Sequence, residues 1–232
     1  MYKRQVLEFY EKIFSLYGAK PKLVLDLACG TGSLTWLMAE KGYEMIGVDA
    51  SFEMLMAARE KAGEREVEVP PIFIEQSLEE LDMYGTSDAA VCCLDGMNYI
   101  PGDKIPAVFG KLHYFVEDGG VFIFDINSPY KLKNLDGQIF LDETEDVYCL
   151  WRCEVNEDEG FCIYGMDIFS LLEDGTWERS GEEHIEYIHT VEYLISCLEK
   201  AGFDEIKVFG DKKLQRPEEK EERIFISAKN KR

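Results

Sequence analysis

The segment Asp26-Leu27-Ala28-Cys29-Gly30-Thr31-Gly32 closes a short apolar run, Lys22 to Leu27, and leads directly into a helical pattern. Small residues at such a strand-to-helix turn let a ligand come close to main-chain amides, and in open parallel sheets ligands bind beyond the carboxyl ends of the strands. About seventeen residues beyond Gly32, Asp49 ends the second apolar run. An acid there can accept hydrogen bonds from both hydroxyls of a ribose. The chemistry these two features suggest is the binding of a nucleoside-bearing cofactor. A nicotinamide fingerprint wants glycines at three positions that here hold Ala28, Gly30 and Ser33, so an NAD-dependent oxidoreductase is the weaker reading.

An acid ending the first strand, a small residue and then Gly30-Thr31-Gly32 resembles the cofactor loop of the class I S-adenosylmethionine-dependent methyltransferases of small-molecule type. The likeness spans nearly the whole chain. Val24 to Gly32 resembles the first motif of that family, Ile46 to Ser51 with Met54 and Leu55 the second, and Phe73 to Leu81 the third. Asp88 to Ile100 resembles the fourth strand and its loop, Glu117 to Asn127 the turn and fifth strand, and the last two strands the terminal antiparallel pair. The resemblance implies that S-adenosyl-L-methionine is the cofactor and that Asp26 orients its methionine amino group, while Ala28, Gly30 and Gly32 allow close backbone approach. It further implies Asp49 on the ribose, Ala50 and Met54 along the adenine, Gln76 and Ser77 at the adenine edge, and Leu94 near the methionine part. Family members often carry Asp where Ser77 stands, which moves the adenine amino contact to a weaker or neighbouring group. Ser77 serves equally as a helix cap, and Met54 as helix core.

In this chemistry the sulfonium makes the methyl group electrophilic, so the protein chiefly aligns an O or N nucleophile in line with it and excludes water. A general base is optional. Candidate acceptor residues are Asp95, Asn98 and Tyr99 after the fourth strand, Asn127 and Tyr130 after the fifth, and Arg152 in the region that follows. His184 is the weak candidate for a base, having a suitable intrinsic pKa; the alternative is a partly exposed histidine beside Glu182 and Glu183. His113 and His189 read as structural. The loop Asp95-Gly96-Met97-Asn98-Tyr99 lacks the Asn-Pro-Pro-Tyr signature of base or glutamine methylation, and Cys92-Cys93 lacks the Pro-Cys context of cytosine-C5 enzymes. The expected acceptor is a small metabolite. The rival from another class is a methyltransferase-like protein that holds the cofactor without turnover.

The elements that must carry these residues follow from periodicity. Val6 to Tyr17 has helical spacing and ends at Gly18 and Pro21; Ser33 to Lys41, Phe52 to Ala62 and Ile105 to Val116 read as helices. Lys22 to Leu27, Glu44 to Val48, Ile72 to Glu75, Ala89 to Leu94 and Val121 to Ile126 read as buried strands. Such alternation predicts an α/β fold, a Rossmann-like doubly wound, mostly parallel seven-stranded sheet with a terminal antiparallel strand. From Gly137 the period changes to two, with turn signals at Asn156 to Gly160 and Glu173 to Gly175. This predicts an inserted antiparallel sheet in which Val147, Cys149, Trp151, Cys153 and Val155 share a face, as do Phe161, Ile163, Phe169 and Leu171 on the next strand, giving the hairpin an apolar side. Helical spacing returns at Val191 to Ala201, before strands at Glu205 to Phe209 and Arg223 to Ala228. Residues 1–232 thus read as a single methyltransferase domain, with 137–188 as an inserted β lid that forms the substrate region.

Composition bounds the partners. The 232 residues carry 25 Lys plus Arg against 46 Asp plus Glu, a net charge of -21 that repels phosphate backbones and anionic lipid. Nucleic acid and membrane are disfavoured, and the expected assembly is a monomer or homodimer. No run approaches the roughly 18 apolar residues of a membrane span, and the first ten residues lack a secretory pattern. A cytoplasmic location is expected. Seven cysteines, without paired metal-type spacing and with only three histidines, read as reduced core thiols and no metal site. Related enzymes often have an earlier aromatic-rich helix that closes over the cofactor, so Met1 to Gln5 reads as a truncated start.

Overall fold

A computed structural model describes residues 2–232. Met1 lies outside the described residues, and with it part of the expectation about the chain start. Seven strands form the main sheet: β1 (Leu23–Leu27), β2 (Glu44–Asp49), β3 (Ile72–Glu75), β4 (Ser87–Cys92), β5 (Val116–Asn127), β10 (Phe203–Phe209) and β11 (Arg223–Asn230), in the order β10-β11-β5-β4-β1-β2-β3. β1, β2, β3, β4 and β5 pair in parallel, and β11 runs antiparallel to both its neighbours. This is the fold class that the alternation of strands and helices predicts.

Alternation along each strand divides the interior in two. Val24, Ala89, Val91, Val121, Ile123 and Phe225 pack on helices α1 (Tyr2–Leu16) and α2 (Ser33–Ala39). Leu25, Leu27, Ala90, Phe122, Phe124 and Ile226 pack on α4 (Ile105–Phe115) and α6 (Val191–Ala201). A strand buried on both faces must be apolar at successive positions, which is why these read as continuous runs. α3 (Phe52–Glu60) docks through Leu55 and Ala58 against Trp36 and Phe73, and the Trp36 indole N–H donates to the Ala58 carbonyl at 2.8 Å. Among the described residues no helix is long and apolar enough to cross a membrane.

Residues after the short helix α5 (Pro129–Lys133) build a separate antiparallel sheet, ordered β6 (Ile139–Glu143), β7 (Val147–Asn156), β8 (Phe161–Leu171) and β9 (Trp177–Tyr187). Its register corrects one expectation. Trp151 stands opposite Met166, and Met166 opposite Glu182, while Tyr148 faces Phe169. The rows containing Trp151 and Phe169 therefore lie on opposite faces and do not form one apolar side. One face carries Trp151, Cys153, Tyr164, Met166, His184 and Glu186; the other carries Tyr148, Arg152, Phe169 and Asp167. A register offset of one residue reverses every side chain, and it is set by turn geometry that hydropathy alone does not reveal.

Candidate functional site

The turn after β1 places its main chain at the carboxyl edge of the sheet. Ala28, Gly30 and Gly32 all have positive φ, at 51°, 54° and 64°. Their conformation is held by the Cys29 N–H, which donates to the Val48 carbonyl at 3.0 Å, and by the Gly32 N–H, which donates to the Cys29 carbonyl at 3.0 Å. The two glycines do different work. A β-carbon on Gly30 would meet nothing within 4 Å, whereas one on Gly32 would lie 2.8 Å from Phe73 Cζ and 3.0 Å from Ala58 Cβ. Gly32 is a packing glycine between α2 and α3, and Gly30 faces open space.

Asp49, at the end of β2, accepts the Gly30 N–H on Oδ2 at 2.7 Å and the Ser51 N–H on Oδ1 at 2.9 Å. A carboxylate has about four acceptor positions, so each oxygen keeps one for a hydroxyl. Ser51 Oγ caps α3 through the Met54 N–H at 3.2 Å. Gln76 ties its own loop, its amide joining the Asp82 N–H and carbonyl at 3.2 Å. Ser77 caps the 3-10 turn Leu78–Glu80 by accepting the Glu80 N–H at 3.2 Å. Met54 is not core, since 45% of its surface is exposed.

Asp26 is buried at 1% exposure and accepts the Thr35 hydroxyl at 2.6 Å on Oδ2. Burial pushes its carboxyl up to about 6, against the opposing hydrogen bond from Thr35. After β4 the backbone turns through two consecutive left-handed non-glycine residues, Leu94 and Asp95, at φ 62° and 59°. Each costs roughly 1–2 kcal/mol for an L-residue. The turn is held because both N–H groups converge on the buried carboxylate of Asp125, at 2.9 and 3.2 Å. Arg223, from β11, bridges Asp125 and Asp95 and reaches Asn127 Oδ1 at 3.0 Å. Burial raises the Asp125 carboxyl while the Arg223 charge opposes it.

These elements line a cavity of about 470 Å³ with Ala28, Gly30, Asp49, Ala50, Met54, Gln76, Ser77 and Leu94, and Gly96, Tyr99 and His184 line it too. That volume lies within the roughly 300–1,000 Å³ typical of ligand pockets. Eight of the ten predicted cofactor residues thus meet in one space, while Asp26 and Gly32 stand behind it. The fit to an adenosine-bearing cofactor is good: a carboxylate with spare acceptor positions, a glycine opening on empty space, and an exposed thioether beside them.

The predicted acceptor residues divide. Tyr99 and His184 meet across the cavity, with Tyr99 Oη 3.5 Å from His184 Nδ1 and the rings at 90°. Asp95 sits beneath them in its pair with Arg223 at 2.7 Å. Asn98 is fully buried; its Oδ1 accepts the Asn127 N–H at 2.9 Å, and its Nδ2 donates to the carbonyls of Asn127 at 3.2 Å and Tyr187 at 3.0 Å. It fastens the end of β9 to the end of β5, with both Nδ2 hydrogens engaged and Oδ1 holding the Asn127 N–H. Asn127 is likewise buried and tied into this network. Tyr130 lines another cavity with Lys131, Gln138 and Glu222. Arg152 lies on the face of the inserted sheet opposite His184, paired with Asp167 at 3.0 Å. Tyr130 and Arg152 thus lie outside the cavity that Tyr99 and His184 line.

Sequence reasoning missed Asp125, Glu186 and Arg223. A lone acid inside the apolar run Val121 to Ile126 was the available signal for Asp125, because an ionisable group is rarely buried without a partner. For Glu186 the signal was its two-residue spacing from His184, which sets both on one face.

Comparison with known proteins adds an independent line. Residues 24–120 match the family model described as "Methyltransferase domain". The chain is 31% identical over 208 residues to "Putative methyltransferase YqeM" of Bacillus subtilis (strain 168), covering 88% of this chain and 83% of that one. Among solved structures, a S-adenosylmethionine-dependent methyltransferase from Clostridium acetobutylicum ATCC 824 superposes with a TM-score of 0.90 at 28% identity, covering 100% of this chain and 93% of the other. The S-adenosylmethionine-bound amino pentose methyltransferase CalS10 from Micromonospora echinaspora gives 0.76 at 16% identity, with 98% and 91% covered, a likeness of fold alone.

Proposed function

Because the chain belongs to the class I S-adenosylmethionine-dependent methyltransferases, we propose that it methylates a small-molecule acceptor held between the 470 Å³ cavity and the inserted sheet. The observation that carries this reading is the convergence of Ala28, Gly30, Asp49, Ala50, Met54, Gln76, Ser77 and Leu94 on that one space. The bound cofactor supplies a methyl group made electrophilic by its sulfonium. Asp49 holds the ribose hydroxyls on its spare acceptor positions, and Gly30 with Ala28 brings main chain against the methionine part. Asp26, from behind the glycine turn, sets the charge seen by the amino group. Ala50 and Met54 cover the adenine, with Gln76 and Ser77 at its edge.

The inserted sheet acts as a lid. Its His184 lines the cavity, and with an acceptor bound the sheet serves to align it and keep water from the transfer. Tyr99 and His184 form the walls nearest the acceptor. The -21 net charge argues against nucleic acid as the acceptor.

Calorimetric titration with S-adenosylmethionine tests the site. The chain binds it, and Asp49→Ala weakens binding by about tenfold or more, the worth of one charge-assisted hydrogen bond. Unchanged affinity in Asp49→Ala would show that the cofactor lies elsewhere. Release of S-adenosylhomocysteine in the presence of small acceptors, absent without them, tests turnover.

A further inference from the structure

Glu186 is buried at 5% exposure on the face of β9 that also carries His184, two residues away, and His184 lines the cavity. Its Oε2 accepts the Asn127 Nδ2–H at 2.7 Å, and among the described residues no hydrogen bond reaches Oε1. The surroundings concentrate negative charge. Asp95, Asp125 and Glu186 supply three carboxylates, against Arg223, which is bound to Asp95 and Asp125, and Lys131, whose Nζ donates to Asn127 Oδ1 at 2.8 Å. With all five ionised, one negative charge is left uncompensated. Two aromatic rings flank His184 on the same face: Tyr164 is its cross-strand partner, which places it diagonal to Glu186, and Tyr99 stands edge-on to it. Carboxylate with aromatic faces is the surrounding that favours an organic cation over a neutral hydroxyl compound.

We infer that the acceptor is an amine, bound as its ammonium ion against Glu186 between Tyr99 and Tyr164, with Glu186 taking the proton that frees the nitrogen lone pair. This rests on reading the cavity as the methyl-transfer site. Burial, with the Asp95 charge next, pushes the Glu186 carboxyl up to about 7, so it can exchange a proton near neutrality. The step balances. An ammonium N–H passes its proton to Glu186 Oε1, the freed lone pair forms the nitrogen–carbon bond, and the carbon–sulfur pair stays on sulfur. The products are a methylated ammonium, a neutral thioether and protonated Glu186, which returns its proton to solvent on release.

The test uses benzylamine and benzyl alcohol, alike in skeleton and different in charge, titrated by calorimetry into the chain without cofactor and with S-adenosylhomocysteine. The amine binds about tenfold or more tighter than the alcohol. Glu186→Gln, which keeps an oxygen for the Asn127 donor, abolishes that preference, and Glu186→Asp retains part of it. The melting temperature of each variant is measured alongside to show that it is folded. Equal binding of the two probes by the wild type, or an undiminished preference in a folded Glu186→Gln, would overturn the inference. So would methyl transfer to hydroxyl acceptors but not to amines. Failure of the reading on which it rests is distinguishable, because then S-adenosylmethionine itself does not bind.

Discussion

Substituting alanine at Gly30 and at Gly32 separates cofactor approach from packing within a single turn. Both residues have positive φ, so either alanine meets a backbone cost of roughly 1–2 kcal/mol, partly offset by the lower entropy of its unfolded chain. At Gly30 nothing else is added, since the new methyl meets no atom within 4 Å. At Gly32 the methyl would lie 2.8 Å from Phe73 Cζ and 3.0 Å from Ala58 Cβ. Phe73 cannot swing away freely, because its ring lies 6.1 Å from that of Trp36, centroid to centroid, in a closed cluster. Overpacking of this kind adds roughly 1–3 kcal/mol. Gly32→Ala is therefore expected to lose about 3 kcal/mol in all, and Gly30→Ala about 1, or roughly 6–12 °C against 2–4 °C in melting temperature for a chain of this size. Affinity follows the opposite order. Gly30→Ala puts a methyl into the cavity and lowers S-adenosylmethionine affinity by at least tenfold, while folded Gly32→Ala stays within about threefold of wild type. Thermal melts and calorimetry on the pair decide, and Phe73→Leu, which shortens the clashing ring, should recover part of the Gly32→Ala loss. Equal destabilisation by the two alanines, or a larger affinity loss in Gly32→Ala, would refute the division of labour.

Three further outcomes follow from the buried polar groups. Asp26 has its carboxyl raised from 3.8 to about 6, so between those values the folded chain binds more protons than the unfolded one and stability falls as pH rises. Asp26→Asn, which can still accept from Thr35, should flatten the melting profile over that window and gain about 3 kcal/mol at pH 7 but nothing at pH 4, while losing cofactor affinity; an unchanged profile counts against it. Arg223→Met leaves the carboxylate of Asp125 buried without its cation and should cost about 3–5 kcal/mol in urea unfolding; a loss under about 1 kcal/mol would mean the charge is compensated elsewhere. Asn98→Ala removes the three hydrogen bonds through which Asn98 joins β5 to β9, so hydrogen exchange should quicken across the inserted sheet more than in β1 or β4; uniform quickening would contradict this fastening role.

The succession of strands and helices is legible in the sequence, as are most residues of the cavity at the ends of β1 and β2. Both are written in local pattern: apolar runs buried on two faces, a small-residue turn after an acid, a second acid one strand later. Those features lie at the ends of adjacent parallel strands, and the right-handed crossovers of a doubly wound sheet bring such ends together without further instruction. Other features arise only from packing and pairing. Only packing shows that Gly32 is filled from behind by Phe73 while Gly30 is open. The pairing register alone puts Glu186 on the face that carries His184 and Arg152 on the other, since one residue of offset exchanges the two faces of a strand. Asp95, Asp125, Glu186 and Arg223 come from four separate parts of the chain and are linked, Glu186 through Asn127, only after folding. Their charges acquire meaning from burial, which no local pattern encodes, and so the glycine turn and Asp49 are legible in sequence while the surroundings of Glu186 depend on the fold.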